Sequence, residues 1–410
     1  MDLAIVDYAA RPPVRAAALR SSGNELVFGD TSVFLGSPAP SDGDVRARRN
    51  AALAFDERPY LVTQKGRLFQ RAYPDINVIV DKGRYLLVSL SPARAAQIQT
   101  SDEPCFKIEP VTGGRVVYQR MASAPASAAM VTRRAALPPL SESVFSDALA
   151  ALTGLPTRHS TSLGYLDAIE LCRMRLTTAG CTVAVEPVPL PGGTTRNLIA
   201  RATNAQGPPR VIVTAHLDSV NHDAGPDAPA PGADDNGSGS AGVIALADAL
   251  LAGDVAGDVL FALFGGEEQG LFGSRAFVDA GRHFDRGAVA AVINMDMIGS
   301  INPPDDPNAA RLAVLIEGAE ISRRLVDALS AAAAAHTRLA VTTSLQPFAS
   351  DHLPFIEAAM PAVLTIEGED STNRFIHGGD DTLEHIDPVL AMEILKMNLA
   401  CIVGYVDEGN

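Results

Sequence analysis

The sequence predicts an α/β protein, a mainly parallel central sheet flanked by helices, with a smaller N-terminal β-rich domain in front of it. Three observations predict this. From about residue 142 onward, near-continuous apolar runs alternate with helical stretches, the pattern of strands covered on both faces by crossover helices. Before that, from about Pro59 to Gln119, the runs are short and strand-like. Between the two lies an Ala/Ser/Pro-rich stretch without periodicity, residues 121–141, which reads as a linker. The expected division is therefore 1–120, 121–141 and 142–410, in keeping with a 410-residue chain that exceeds the usual size of one core.

In the first region the strand runs are PYLVTQ, DINVIV, RYLLVSL, CFKIEPV and GRVVYQ, separated by turns such as Asp81-Lys82-Gly83 and Gly113-Gly114. In the second, RVIVTA (210–215) precedes SGSAGVIALADALLAG, and DVLFALF (258–264) precedes LFGSRAFVDAG. AVAAVINM (288–295) and RLAVLIEG (311–318) follow, then the helical ISRRLVDALSAAAAAH and the strand PAVLTIE (361–367). In sheets of this kind ligands gather at the carboxyl ends of the strands.

Composition narrows the possible partners. The chain is 47% hydrophobic, and its 48 acidic against 33 basic side chains leave a formal charge of −15. That balance argues against nucleic acid and anionic membranes and suits a site that gathers divalent cations and amines. No apolar run is read as long enough to cross a bilayer, and the first twenty residues lack the order of a secretory signal. A cytoplasmic location is expected, or secretion if the chain begins after a removed leader. Cys105, Cys172, Cys181 and Cys401 are too few for a disulfide scaffold; they read as packing thiols, with a Cys172–Cys181 bridge open.

The polar residues converge where the sheet rule places them. His216 and Asp218 follow RVIVTA, Glu267 and Glu268 follow DVLFALF after two glycines, and Asp296 follows AVAAVINM. Asp234 lies in GADDNGSG ahead of a helix, and His377 lies in FIHGGDD beyond PAVLTIE. Each has a bland alternative: Asp234 or Asp235 as a helix cap, the Glu267–Glu268 pair as charge at a helix start, His377 as a structural histidine. A single metal site explains all of them together, because clustered carboxylates repel unless something positive sits among them.

Imidazole and carboxylate without thiolate suit zinc in a hydrolytic site, with Mn2+ or Co2+ as substitutes. Two metals need one bridging carboxylate and two further ligands each, a count met by His216, Asp234, Glu268, Asp296 and His377 with Asp234 as the bridge. Glu267 is left over as general base toward a metal-activated water, and Asp218 can fix the tautomer of His216.

The segments HLDS (216–219), PGADDNGSG (231–239), GGEEQGLFGS (265–274), NMDMIG (294–299), SDHLPF (350–355) and FIHGGDDT (375–382) resemble the M28 family of zinc aminopeptidases in order and spacing, and NLIA (197–200) is similar to its early strand. The likeness covers roughly residues 150–405. It implies one metal on His216, Asp234 and Asp296, another on Asp234, Glu268 and His377, Glu267 as base and Asp218 behind His216. It also implies a peptide substrate with a free N-terminus. One departure stands out: secreted bacterial members often carry a carbonyl-polarising tyrosine four residues before the aspartate of SDH, where this chain has Pro347, followed by Phe348. Ser350 is a local alternative donor, or a loop-capping hydroxyl.

Met297, Ile366 and Ile376 lie beside the site motifs and are expected either to line a pocket for a leucine-like residue or to be ordinary core. A carboxypeptidase would need a cation for the substrate carboxylate, for which Arg374 is the nearest in sequence. Glutaminyl cyclase chemistry and a non-catalytic peptidase-like module are the other readings, the last disfavoured because every ligand and the base are present. No catalytic constellation is read in the first 120 residues, and the oligomeric state is left open.

Overall fold

The computed structural model describes residues 1–8, 24–36, 45–98, 106–111, 114–120, 137–303 and 311–409. The N-terminal strands are β1 (Asp2–Tyr8), β2 (Glu25–Phe28), β3 (Thr31–Leu35) and β4 (Val45–Ala52). They are followed by β5 (Arg58–Gln64), helix α1 (Leu68–Ala72), β6 (Asn77–Lys82), β7 (Tyr85–Leu90), α2 (Pro92–Ile98), β8 (Phe106–Pro110) and β9 (Arg115–Arg120). The second region opens with α3 (Glu142–Thr153) and α4 (Leu163–Ala179), each started by a serine, Ser141 and Ser162, whose hydroxyl accepts a first-turn amide. Gly180 stops α4 in the left-handed conformation that glycine adopts without steric cost.

Then come β10 (Cys181–Leu190), β11 (Gly193–Ala202), β12 (Val211–His216), α5 (Gly239–Ala252), β13 (Val259–Phe264), α6 (Phe272–Ala280) and β14 (Ala291–Met295). The chain ends with β15 (Ala313–Gly318), α7 (Arg323–His336), β16 (Ala340–Ser344), α8 (His352–Glu357), β17 (Ala362–Glu367) and α9 (Pro388–Gly409). The strand order is β10-β11-β13-β12-β14-β17-β15-β16-β9-β2-β3-β1-β4. Its centre, β13-β12-β14-β17, is parallel, with antiparallel strands on either side. Every residue of β12, β13, β14 and β17 is buried, which is why these strands read as unbroken apolar runs. The main core lies on one face under α3, α4, α5, α7 and α9, and a smaller one under α6 and α8 on the other.

Two findings refine the sequence reading. The N-terminal region has a smaller sheet of its own, while its other strands continue the central sheet. Strand β9 pairs antiparallel with β16 and carries β2, β3, β1 and β4 outward, so one sheet runs through both regions. An unpaired β16 would present open amides and carbonyls, and β9 covers that edge. Only β5–β8 form a sheet of their own, in the order β6-β7-β5-β8. The expected linker lies outside the described residues except for 137–141. Second, α9 is long and apolar enough by length and composition to cross a bilayer, contrary to the sequence reading; 72% of its apolar window is buried inside the protein, as a core helix. Cys172, Cys181 and Cys401 are buried free thiols, so the Cys172–Cys181 bridge is absent; Cys105 lies outside the described residues.

Candidate metal centre

The strand ends converge at the carboxyl edge of the parallel centre. His216 is the last residue of β12, Asp296 follows β14, and Glu267–Glu268 follow β13 through Gly265-Gly266. That turn demands glycine: a Cβ on Gly265 would lie 2.2 Å from the Tyr165 hydroxyl and 2.7 Å from the Arg196 carbonyl, and Gly266 has φ +79°. His377, at φ +59°, arrives on the loop after β17, its carbonyl accepting from the His222 amide at 3.1 Å and its ring meeting that of His222 edge-on.

The carboxylate between the two histidines is Asp235, not Asp234. Asp235 Oδ1 lies 3.2 Å from His216 Nε2, and its Oδ2 lies 3.0 Å from His377 Nε2. Asp296 Oδ1 is 3.2 Å from His216 Nε2, and Glu268 Oε2 is 3.4 Å from His377 Nε2. Asp234 faces away. Its Oδ1 accepts the Gly299 amide and its Oδ2 the Asn373 side-chain amide, both at 2.9 Å, and its carboxyl meets that of Glu367. The expected bridging role of Asp234 is thus corrected by where its oxygens are already used. Asp381, unremarked in the sequence, holds the pair in place by accepting the Asp234 and Asp235 amides on its two oxygens, each at 2.9 Å.

The remaining expected residues fall into supporting positions. Asp218 accepts the Glu267 and Glu268 amides at 3.3 Å on its two carboxylate oxygens, while its backbone carbonyl, 3.1 Å from His216 Nδ1, orients the imidazole. Ser350 donates to Asp296 Oδ2 at 2.7 Å and accepts from the Asn294 side chain, so its hydroxyl is committed to orienting Asp296. Arg158, fully buried, donates to the carbonyls of Leu217, Pro231 and Gly232 and so ties the His216 loop to the Asp235 loop. Met297 and Ile366 pack with Leu315 and Leu364 in a small apolar cluster that Ile376 borders. Arg374 is exposed.

The sequence reading also missed a cation. Lys65, just past β5, brings Nζ to 3.5 Å from Glu267 Oε1, with its side chain only 12% exposed. The other Glu267 oxygen faces His216 Nε2 at 4.0 Å. No local signal marks Lys65; only the tertiary docking of the β5–β8 sheet delivers it.

The donor set fits metal ions. Tetrahedral zinc with bonds of about 2.0–2.1 Å places its donor atoms about 3.3 Å apart, the scale of the four spacings above. Both Asp235 oxygens, Glu268 Oε1 and His377 Nε2 are buried with no hydrogen-bond partner, an arrangement that costs stability unless a ligand completes it. Charge tells the same story. Burial and the charges of Asp235 and Glu267 push Glu268 well above the usual carboxylate range. Burial would also raise Asp235, but the nearby imidazoles of His216 and His377 outweigh it and hold that carboxyl well below its ordinary value. For His216, the opposing effect of burial is overcome by Asp296 and Glu267, which raise it.

Comparison with known proteins places this site in a family. Residues 197–402 match the sequence profile of Peptidase family M28. A probable leucine aminopeptidase of Arthroderma benhamiae is 32% identical over 214 residues, 48% of this chain and 53% of that protein. The chain therefore spans about half the length of the curated relatives it matches first. Among solved structures, the Legionella pneumophila LapA aminopeptidase superposes with a TM-score of 0.57 at 17% identity, over 85% of this chain and 98% of its own. BSAP, a zinc aminopeptidase from Bacillus subtilis, gives 0.52 at 17% identity over 65% and 95%. These two likenesses concern the fold alone. The profile match spans half of the chain and takes in every residue of the His/carboxylate cluster: the chain belongs to peptidase family M28.

Proposed function

We propose that this protein is a zinc-dependent aminopeptidase that removes apolar N-terminal residues from peptides, using two zinc ions that share Asp235. One ion would sit on His216, Asp235 and Asp296, the other on Asp235, Glu268 and His377; Mn2+ or Co2+ could substitute. The observation that carries this reading is the pair of histidines 3.2 and 3.0 Å from opposite oxygens of one buried carboxylate, with Glu267 beside them as an unliganded base.

Bound ions would lower the pKa of an attacking water toward about 7 and polarise the scissile carbonyl. The chain's own residues do the rest. Glu267 takes a proton from the water as its oxygen adds to the carbonyl carbon, and the C=O electron pair moves onto oxygen. Glu267 then returns the proton to the leaving nitrogen as the C–N bond breaks. Glu268 Oε1, buried and without a partner, would accept the substrate α-ammonium. Met297, Leu315, Leu364 and Ile366 pack as a buried apolar cluster that Ile376 borders, and this cluster is proposed to back the subsite for the first side chain.

The test compares leucine p-nitroanilide with its N-acetyl derivative and a carboxypeptidase substrate, using zinc-loaded full chain. Hydrolysis of the free-amine substrate alone supports the reading. Equal rates on the acetylated one, or preference for a free carboxylate terminus, would move the protein to another specificity.

A further inference from the structure

We propose that Lys65 is a catalytic residue of this site, the hydrogen-bond donor to the oxyanion that forms when water adds to the scissile carbonyl. The proposal rests on the peptidase reading above and goes beyond it, since it makes the N-terminal region part of the active site.

Four observations carry it. First, the side chains gathered around Asp235 are carboxylates and imidazoles. Of the ion pairs that the described residues form with Asp235, Glu267, Glu268 and Asp296, Lys65 supplies the one from a lysine or arginine. Second, Glu267 is addressed from two sides, Oε2 toward His216 and Oε1 toward Lys65 Nζ. A carbonyl attacked by a water that Glu267 deprotonates must lie within a few ångströms of that carboxylate, and so within reach of the ammonium.

Third, the position is built. The Gln64 amide donates to the Arg84 carbonyl at 2.9 Å, and the Gln64 side chain donates to the Gly83 carbonyl at 2.8 Å and accepts the Phe69 amide at 3.1 Å. Gly66, at φ +49°, turns the chain immediately after Lys65. Arg84 then locks this sheet to the peptidase half through Glu317 and Asp370. Fourth, the segment whose side chains carry no donor, Pro347–Phe348, is held against the same lock. The Phe348 amide donates to Glu317 Oε1 at 2.9 Å, and its ring lies 5.8 Å from the Arg84 guanidinium carbon. The site lacks a hydroxyl there, and the docked sheet brings an ammonium instead.

In the addition step the water oxygen bonds to the carbonyl carbon, its proton passes to Glu267, and the former π pair rests on the carbonyl oxygen, where the Lys65 ammonium donates. On collapse the pair re-forms C=O, the C–N bond breaks and Glu267 protonates the amine. Lys65 keeps its proton throughout. Loss of a single oxyanion donor lowers turnover by about 10²–10³.

The experiment uses zinc-loaded full-length protein with metal content measured on each sample. For Lys65→Met, kcat on leucine p-nitroanilide is expected to fall about 10²-fold with KM within threefold and zinc unchanged. Calorimetry should show weakened binding of leucine phosphonate, a tetrahedral anion, while leucinol binds as in wild type. Lys65→Cys treated with 2-bromoethylamine, which rebuilds an ammonium at nearly the same reach, should regain activity that treated wild type does not gain. Unchanged or increased kcat in Lys65→Met would overturn the proposal and make Lys65 a structural partner or a plug. Loss confined to KM on substrates with a free carboxylate would overturn it in favour of a carboxylate anchor. Wild-type protein inert toward the amide would sink the peptidase reading itself, a result distinct from an active wild type beside an equally active Lys65→Met.

Discussion

Removing the Arg84 guanidinium should cost the protein about 3–5 kcal/mol, more than any surface ion pair is worth. Arg84 is 4% exposed and donates from Nε and Nη2 to both oxygens of Glu317, each at 3.1 Å, and from Nη1 to Asp370 at 2.7 Å. Glu317 is fully buried on β15, and the Tyr85 hydroxyl and Phe348 amide also donate to it, at 2.8 and 2.9 Å. Arg84→Met removes three charged hydrogen bonds and strands two buried carboxylates between the β5–β8 sheet and the peptidase half. The cost is the desolvation of those carboxylates, not the intrinsic worth of the bridge. Glu317→Gln alone should cost a similar amount, because it leaves the guanidinium underpaired. The double variant should cost less than the sum by about 1–3 kcal/mol, the coupling expected of residues in one network. Equilibrium urea unfolding of the four proteins measures this cycle. A loss below about 1 kcal/mol for Arg84→Met, or single losses that add within about 0.5 kcal/mol, would refute the claim that this clamp fixes the N-terminal region.

Glu267→Gln should keep its metals while turnover falls by about two orders of magnitude or more, and near-normal turnover at full metal content would remove Glu267 from the mechanism. Burial holds the thiols of Cys172 and Cys181 up at about 12 and about 11 against an ordinary 9.0, so native protein at pH 8 should resist iodoacetamide at both and react at both in urea. The unfolded chain ionises these thiols near pH 9 while the folded chain keeps them protonated. Their contribution to stability is therefore complete below pH 9 and lost as pH rises toward 11–12, which urea titrations across that range can follow.

The parallel centre of the sheet was legible because burial on both faces writes itself as unbroken apolar runs, and the strand-end rule then collected His216, Glu267, Glu268 and Asp296. The choice between Asp234 and Asp235 was not legible. The two are neighbours in one loop, and which carboxylate faces the histidines depends on contacts with Gly299, Asn373 and Asp381, distant in sequence. The continuation of the sheet through β9 was hidden for a related reason. An edge pairing leaves no periodic mark on β16, and the intervening Ala/Ser/Pro stretch resembles a domain boundary whether or not the strands on either side of it join. Lys65 lies at a strand end with an ordinary turn glycine after it, and only the Arg84 clamp gives it a place in the site. Helix α9 shows the converse error, a segment with the composition of a membrane span that serves as core.

We propose that Asp235 holds both metal ions while Asp234 braces the loop beside it. This is tested most directly by zinc stoichiometry on dialysed wild type, Asp235→Asn and Asp234→Asn, with circular dichroism confirming that each is folded. Two zinc ions per chain are expected in wild type and in Asp234→Asn, with loss of bound zinc in folded Asp235→Asn. Two ions retained by Asp235→Asn, or one ion per wild-type chain, would contradict it.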